Sequence, residues 1–121
     1  MRVLLMTVLV ASLLVACGPS GQPRQQAAPA QEIEVGLSEF RFEPATIEVS
    51  RGKVVFKLKN TGTVEHDFVL PDLGLGTPPI PPGQSRDLEL EIRAQPGRYR
   101  MECDVPGHRE AGMVGTLVVK P

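Results

Sequence analysis

Four side chains of this chain together offer donor atoms suited to one metal ion: His66, Cys103, His108 and Met113. Four residues separate Cys103 from His108, and four more separate His108 from Met113. Pro106-Gly107 falls inside the first interval, so both intervals read as one turn-rich loop. A soft thiolate favours copper, and two imidazoles with one thiolate and a weak axial thioether describe a blue-copper electron-transfer site. Zinc also takes Cys and His, but it rarely uses a thioether and closes its shell with a fourth strong ligand. Taken singly, each of the four reads as an ordinary core residue, since buried His and Cys are common without a metal. Met101, two residues before Cys103 on the same strand face, reads as packing.

Donors so far apart in sequence need a rigid frame to bring them together. From Glu32 onward the apolar residues recur with period two. Examples are Ile33-Val35-Leu37, Val54-Phe56-Leu58, Leu88-Leu90-Ile92 and Leu117-Val119. Such alternation over short runs means half-buried strands. Val64, His66, Phe68 and Leu70 fall on one face of one such run, and Tyr99, Met101 and Cys103 on one face of another. His66 and Cys103 are thereby expected to point inward near strand ends. Arg51-Gly52, Asn60-Thr61-Gly62, Pro82-Gly83 and Pro96-Gly97 mark turns, and the Pro-rich stretch from Pro71 to Pro82 reads as loop. The expected fold class is all-β, an antiparallel β-sandwich of seven to eight strands.

The N-terminus follows other rules. Arg2, the apolar stretch Val3–Leu14 and the small residues after it have the pattern of a secretory signal peptide over residues 1–16, with the apolar stretch too short to span a bilayer. Leu14-Val15-Ala16-Cys17 resembles the bacterial lipobox, which implies cleavage before Cys17 and a lipid on its sulfur. Residues 17–31 hold one charge and no large apolar side chain, so they read as the lipidated Cys17 and a flexible tether of ~20 Å reach. The folded domain is then 32–121. Export also leaves Cys103 without a partner for an intramolecular disulfide, so intermolecular pairing, simple burial or a metal must account for it.

Composition narrows the function classes. The 121 residues carry a formal net charge of −1, which argues against nucleic acid, whose phosphates demand a basic face. Aromatic content is 4% with no Trp, so platforms for stacked bases or sugars are not expected.

Asn60-Thr61-Gly62 leading to His66, then Tyr99 through His108, then Gly112-Met113-Val114-Gly115-Thr116-Leu117, together resemble the cupredoxin family of small blue-copper proteins. The likeness covers 32–121. It implies a Greek-key β-sandwich and one copper, cycling between Cu(I) and Cu(II), held by His66, Cys103 and His108 with Met113 axial. The Cys–His spacing is similar to azurin and the His–Met spacing to plastocyanin, so the subfamily stays open. Where many relatives carry Asn after the first histidine this chain has Asp67, a candidate to accept a hydrogen bond from the backbone at Asp104.

The family resemblance further implies that the C-terminal histidine offers an edge for electron exchange. Here that is His108 beside Val105 and Pro106, with Leu73, Leu75 and Ile80 as possible extensions of the apolar patch. The expected function is single-electron transfer between redox proteins, such as a c-type cytochrome, an oxidase or a reductase. The setting would be the periplasmic or outer side of the membrane, where a monomer is anchored by its lipid. The alternative is a copper-binding module that stores copper or delivers it to an oxidase. An enzyme is not expected, since four donors around one copper leave no open position for substrate.

Overall fold

The computed structural model describes residues 27–121. The expected signal peptide, the lipobox-like segment, Cys17 and the first part of the expected tether lie outside the described residues.

Nine strands follow one another: β1 (Gln31–Ser38), β2 (Arg41–Glu43), β3 (Thr46–Val49), β4 (Gly52–Asn60), β5 (Val69–Leu70), β6 (Leu75–Gly76), β7 (Ser85–Ile92), β8 (Gly97–Glu102) and β9 (Val114–Val119). A single 3-10 turn, Pro71–Leu73, separates β5 from β6. They form two sheets, in the orders β2-β1-β4-β7 and β3-β9-β8-β5-β6. The sandwich is therefore as expected, with the short β2 and β6 accounting for the larger number of strands. Two pairings depart from the antiparallel expectation: β1 runs parallel to β4, and β3 parallel to β9. The chain leaves β2 for the second sheet as β3 and re-enters the first as β4 beside β1. Alternation marks which face of a strand is buried, not the direction of its neighbour.

The strand also begins at Gln31, one residue before the expected domain start. Its side chain explains this: Nε2 donates to Ser50 O at 3.0 Å and Oε1 accepts from Ser50 N at 2.8 Å, clamping the strand to the β3–β4 turn.

The alternating apolar residues meet between the sheets. Val54, Phe56 and Leu58 of β4 and Leu117 of β9 have no solvent exposure. Phe68 sits at the centre, its ring edge-on to Phe42 with centroids 5.7 Å apart and tilted against Phe56 at 5.2 Å. Removing a buried phenylalanine of this kind typically costs ~3–5 kcal/mol. Phe68 is two residues from His66, so the aromatic cluster anchors the segment that carries the first histidine.

One expected strand is shorter than its alternation. Val64-His66-Phe68-Leu70 yields regular pairing only at Val69–Leu70, and His66 makes an isolated antiparallel bridge to Ile80. Val64 is 42% exposed, whereas His66, Asp67 and Phe68 are all buried in succession. The backbone from Thr61 to Glu65 is loop, held by Asn60, whose amide donates to Val64 O at 2.7 Å and Ile80 O at 2.8 Å and accepts from Gly62 N at 2.9 Å.

Candidate metal centre

The fold gathers three of the four donors at one end of the sandwich. His66 is fixed by two backbone bonds to Ile80: His66 N donates to Ile80 O at 3.2 Å, and Ile80 N donates to His66 O at 2.7 Å. Cys103 follows the last residue of β8, and its N–H donates to Met113 O at 3.2 Å. Between them the loop coils tightly, with His108 N donating to Val105 O at 3.0 Å and Met113 N to His108 O at 3.0 Å. Gly107 makes this possible, since its φ of 83° is one that L side chains rarely adopt.

His66 Nδ1 lies 3.1 Å from His108 Nδ1, and Cys103 Sγ lies 3.5 Å from His108 Nδ1. One donor atom from each of the three residues falls within 4.8 Å of the others. His66 and Cys103 have no exposure and His108 has 9%. Arms of ~2.0–2.3 Å from nitrogen and sulfur to a shared ion need donors roughly 3.5 Å apart, so the cluster fits one ion. Two imidazoles and a thiolate in a dry pocket are the donor set that suits copper.

Electrostatics match that use. Burial pushes the His66 imidazole below its ordinary range, so it is neutral and available as a ligand. Burial likewise pushes the Cys103 thiol up to about 11, although the Asp67 and Val105 amides oppose the shift. A metal must therefore displace the thiol proton. The Asp67 N–H donates to Cys103 Sγ at 3.5 Å, and Asp67 Oδ1 accepts from Asp104 N at 2.7 Å. The expected bond between Asp67 and the Asp104 backbone is present.

Met113 is fully buried, and its backbone bonds to both Cys103 and His108 place it beside the cluster. Met101 is also fully buried and belongs to the core. The other expected surface residues divide: Val105 is half-buried, Pro106 is exposed, and Leu73 and Leu75 are half-buried against the core. Ile80 does not extend an apolar patch. It is 1% exposed because its backbone pairs with His66 and draws its side chain into the core.

Two neighbours of the cluster come from a segment whose sequence carries no ligand signal, the two-residue turn between β1 and β2. The Phe40 ring stands edge-on to His108 with centroids 5.0 Å apart, and is itself 40% exposed. Glu39 Oε1 lies 3.4 Å from His66 Nε2. Its carboxyl is held down to about 2, chiefly by the Thr63 N–H. Farther out, Glu102 is 5% exposed beside Cys103 and meets Arg109 at 3.3 Å, while Arg100 grips Asp72 at 2.9 Å and so ties β8 to the 3-10 turn.

The sequence model of the family described as Cupredoxin-like domain matches residues 5–119. The chain is 34% identical to the copper-resistant cuproprotein CopI of Rubrivivax gelatinosus, over 84% of this chain and 74% of that protein. It is 29% identical to the protein of the same name from Pseudomonas aeruginosa, over 84% of this chain and 82% of the other. Among solved structures, dithionite-reduced auracyanin from Roseiflexus castenholzii superposes with a TM-score of 0.67 at 23% identity, over 75% of this chain and 98% of that one, a likeness of fold. The shared architecture, the converging His66, Cys103 and His108, and the family match lead to one conclusion: this chain belongs to the cupredoxin-like family.

Proposed function

We propose that the chain is an exported blue-copper protein that carries single electrons between redox partners, with His66 Nδ1, Cys103 Sγ and His108 Nδ1 as its copper ligands and Met113 as the weak axial one. Copper, when bound, supplies a one-electron Cu(II)/Cu(I) couple. The observation that carries this reading is the convergence of three buried donors already within 4.8 Å of one another. The chain's part is to keep them there. Paired backbone bonds to Ile80 hold His66, the Asp67 amide and carboxylate hold Cys103 and the following loop, and Phe40 backs His108. A frame of this kind limits movement when an electron arrives.

Exchange with a c-type cytochrome, an oxidase or a reductase would pass through the His108 edge, beside Phe40, Val105 and Pro106. Four donors leave no open position for substrate, hence a carrier and not a catalyst. Lipidation at Cys17 would hold the domain on the outer side of the membrane.

The likeness to two copper-resistant cuproproteins favours a second reading, copper handling by storage or delivery. One experiment separates the two. The copper-loaded protein is cycled repeatedly with reductant and oxidant, with and without a competing Cu(I) chelator. An electron carrier retains its copper through many cycles. Rapid loss of Cu(I) to the chelator overturns electron transfer in favour of delivery.

A further inference from the structure

The tip of the first hairpin reaches over the metal cluster, and Glu39 is built into it from two sides. Toward the cluster, its Oε1 lies 3.4 Å from His66 Nε2, a buried nitrogen that has no aligned hydrogen-bond partner among the described residues. Away from the cluster, the same oxygen accepts from Thr63 N, from Val64 N at 3.0 Å and from Thr63 Oγ1 at 3.2 Å. Gly62 lies against this carboxylate, and a Cβ there would stand only 2.5 to 2.9 Å from its atoms. Only glycine leaves room for Glu39 in that position. Asn60 in turn shapes the loop through its bonds to Gly62 N and Val64 O. Asn60, Gly62, Thr63 and Val64 thus form a cradle for one carboxylate, directed at one imidazole nitrogen.

We propose that Glu39 is a positioning residue of the copper site: it keeps the His66 proton on Nε2, leaving Nδ1 bare toward Cys103 and His108, and its charge favours Cu(II) over Cu(I). The physical basis is simple. A carboxylate repels a nitrogen lone pair and attracts an N–H, and the partner of one imidazole nitrogen decides which nitrogen is free to bind metal. An anion behind the ring also makes the ligand a better donor, which stabilises the higher metal charge. The effect on copper rests on the ligand assignment above; the effect on the His66 proton does not.

The test compares the full chain with Glu39→Gln and Glu39→Ala. Gln can still accept from Thr63, Val64 and His66 Nε2 through its carbonyl but carries no charge, whereas Ala removes the acceptor as well. In the metal-free protein, nitrogen NMR of His66 should report the proton on Nε2 in the parent and in Glu39→Gln, and movement toward Nδ1 in Glu39→Ala. In the copper-loaded protein, redox titration at a fixed applied potential should show the Cu(II)-to-Cu(I) ratio falling ~10-fold in both variants, a change of the size that losing a partner of a metal ligand brings to affinity or activity. Glu39→Ala provides the charge test if Glu39→Gln fails to fold. A parent His66 protonated on Nδ1, an unchanged tautomer in Glu39→Ala, or an unchanged ratio in both variants overturns the proposal. A parent that binds no copper at His66 and Cys103 overturns the ligand assignment instead, and the NMR result still decides the tautomer.

Discussion

Asp67 and Asp104, 37 residues apart in sequence, are joined by a bond of 2.7 Å from the Asp104 amide to the Asp67 carboxylate. Each stands next to a proposed ligand, Asp67 after His66 and Asp104 after Cys103. The Asp67 amide meanwhile donates to Cys103 Sγ at 3.5 Å. One residue therefore fastens the upstream histidine segment to the ligand loop through both its backbone and its side chain.

Asp67→Ala should destabilise the metal-free protein by ~1–3 kcal/mol, because it strands the Asp104 N–H without its partner. Asp67→Asn keeps an acceptor oxygen in place and should lose much less. Its neutral side chain should instead shift copper toward Cu(I). Denaturant unfolding and redox titration of the two variants check both halves. Equal stability loss in the two would mean that charge, not the hydrogen bond, links these residues.

Cys103 combines complete burial with a thiol pushed up to about 11. At pH 8 so little thiolate is present that alkylation of the metal-free protein should run at least ~100-fold slower than for a free cysteine. Copper binding must expel that proton, so uptake should release about one proton per copper and weaken as pH falls. Stopped-flow alkylation and proton release measured in weak buffer test the two claims. Rapid alkylation would show that the pocket opens readily.

Phe40 shields His108 while remaining 40% exposed. Phe40→Ala should leave the copper colour in place and cost only ~1 kcal/mol of stability, since much of the ring already meets water. It should speed copper release to a chelator several-fold by freeing the His108 ring. Release at the parent rate would reduce Phe40 to a surface residue without influence on the site.

The three converging donors were legible because their signal is local: residue types in order, and a loop punctuated by Pro106-Gly107. The sandwich was legible from alternation, which continues through Val54, Phe56 and Leu58. Alternation misled at Val64, where the apolar pattern runs on past the strand and the backbone turns out into the loop held by Asn60. Ile80 was misplaced for the opposite reason: a proline-rich loop reads as exposed, yet its backbone pairs with His66. The parallel pairings and the approach of Glu39 and Phe40 were not legible. Both depend on which strands become neighbours, and spacing along the chain carries no trace of that.

The central claim is that His66, Cys103 and His108 bind one copper ion as a group. Its most direct test is the visible absorption of the metal-free protein titrated with Cu(II), beside Cys103→Ser. The account predicts an intense blue thiolate-to-copper band that saturates at one equivalent, is bleached by reductant, returns with oxidant and is absent from the serine variant. A weak or colourless product, or a band that survives the loss of Cys103, would contradict it.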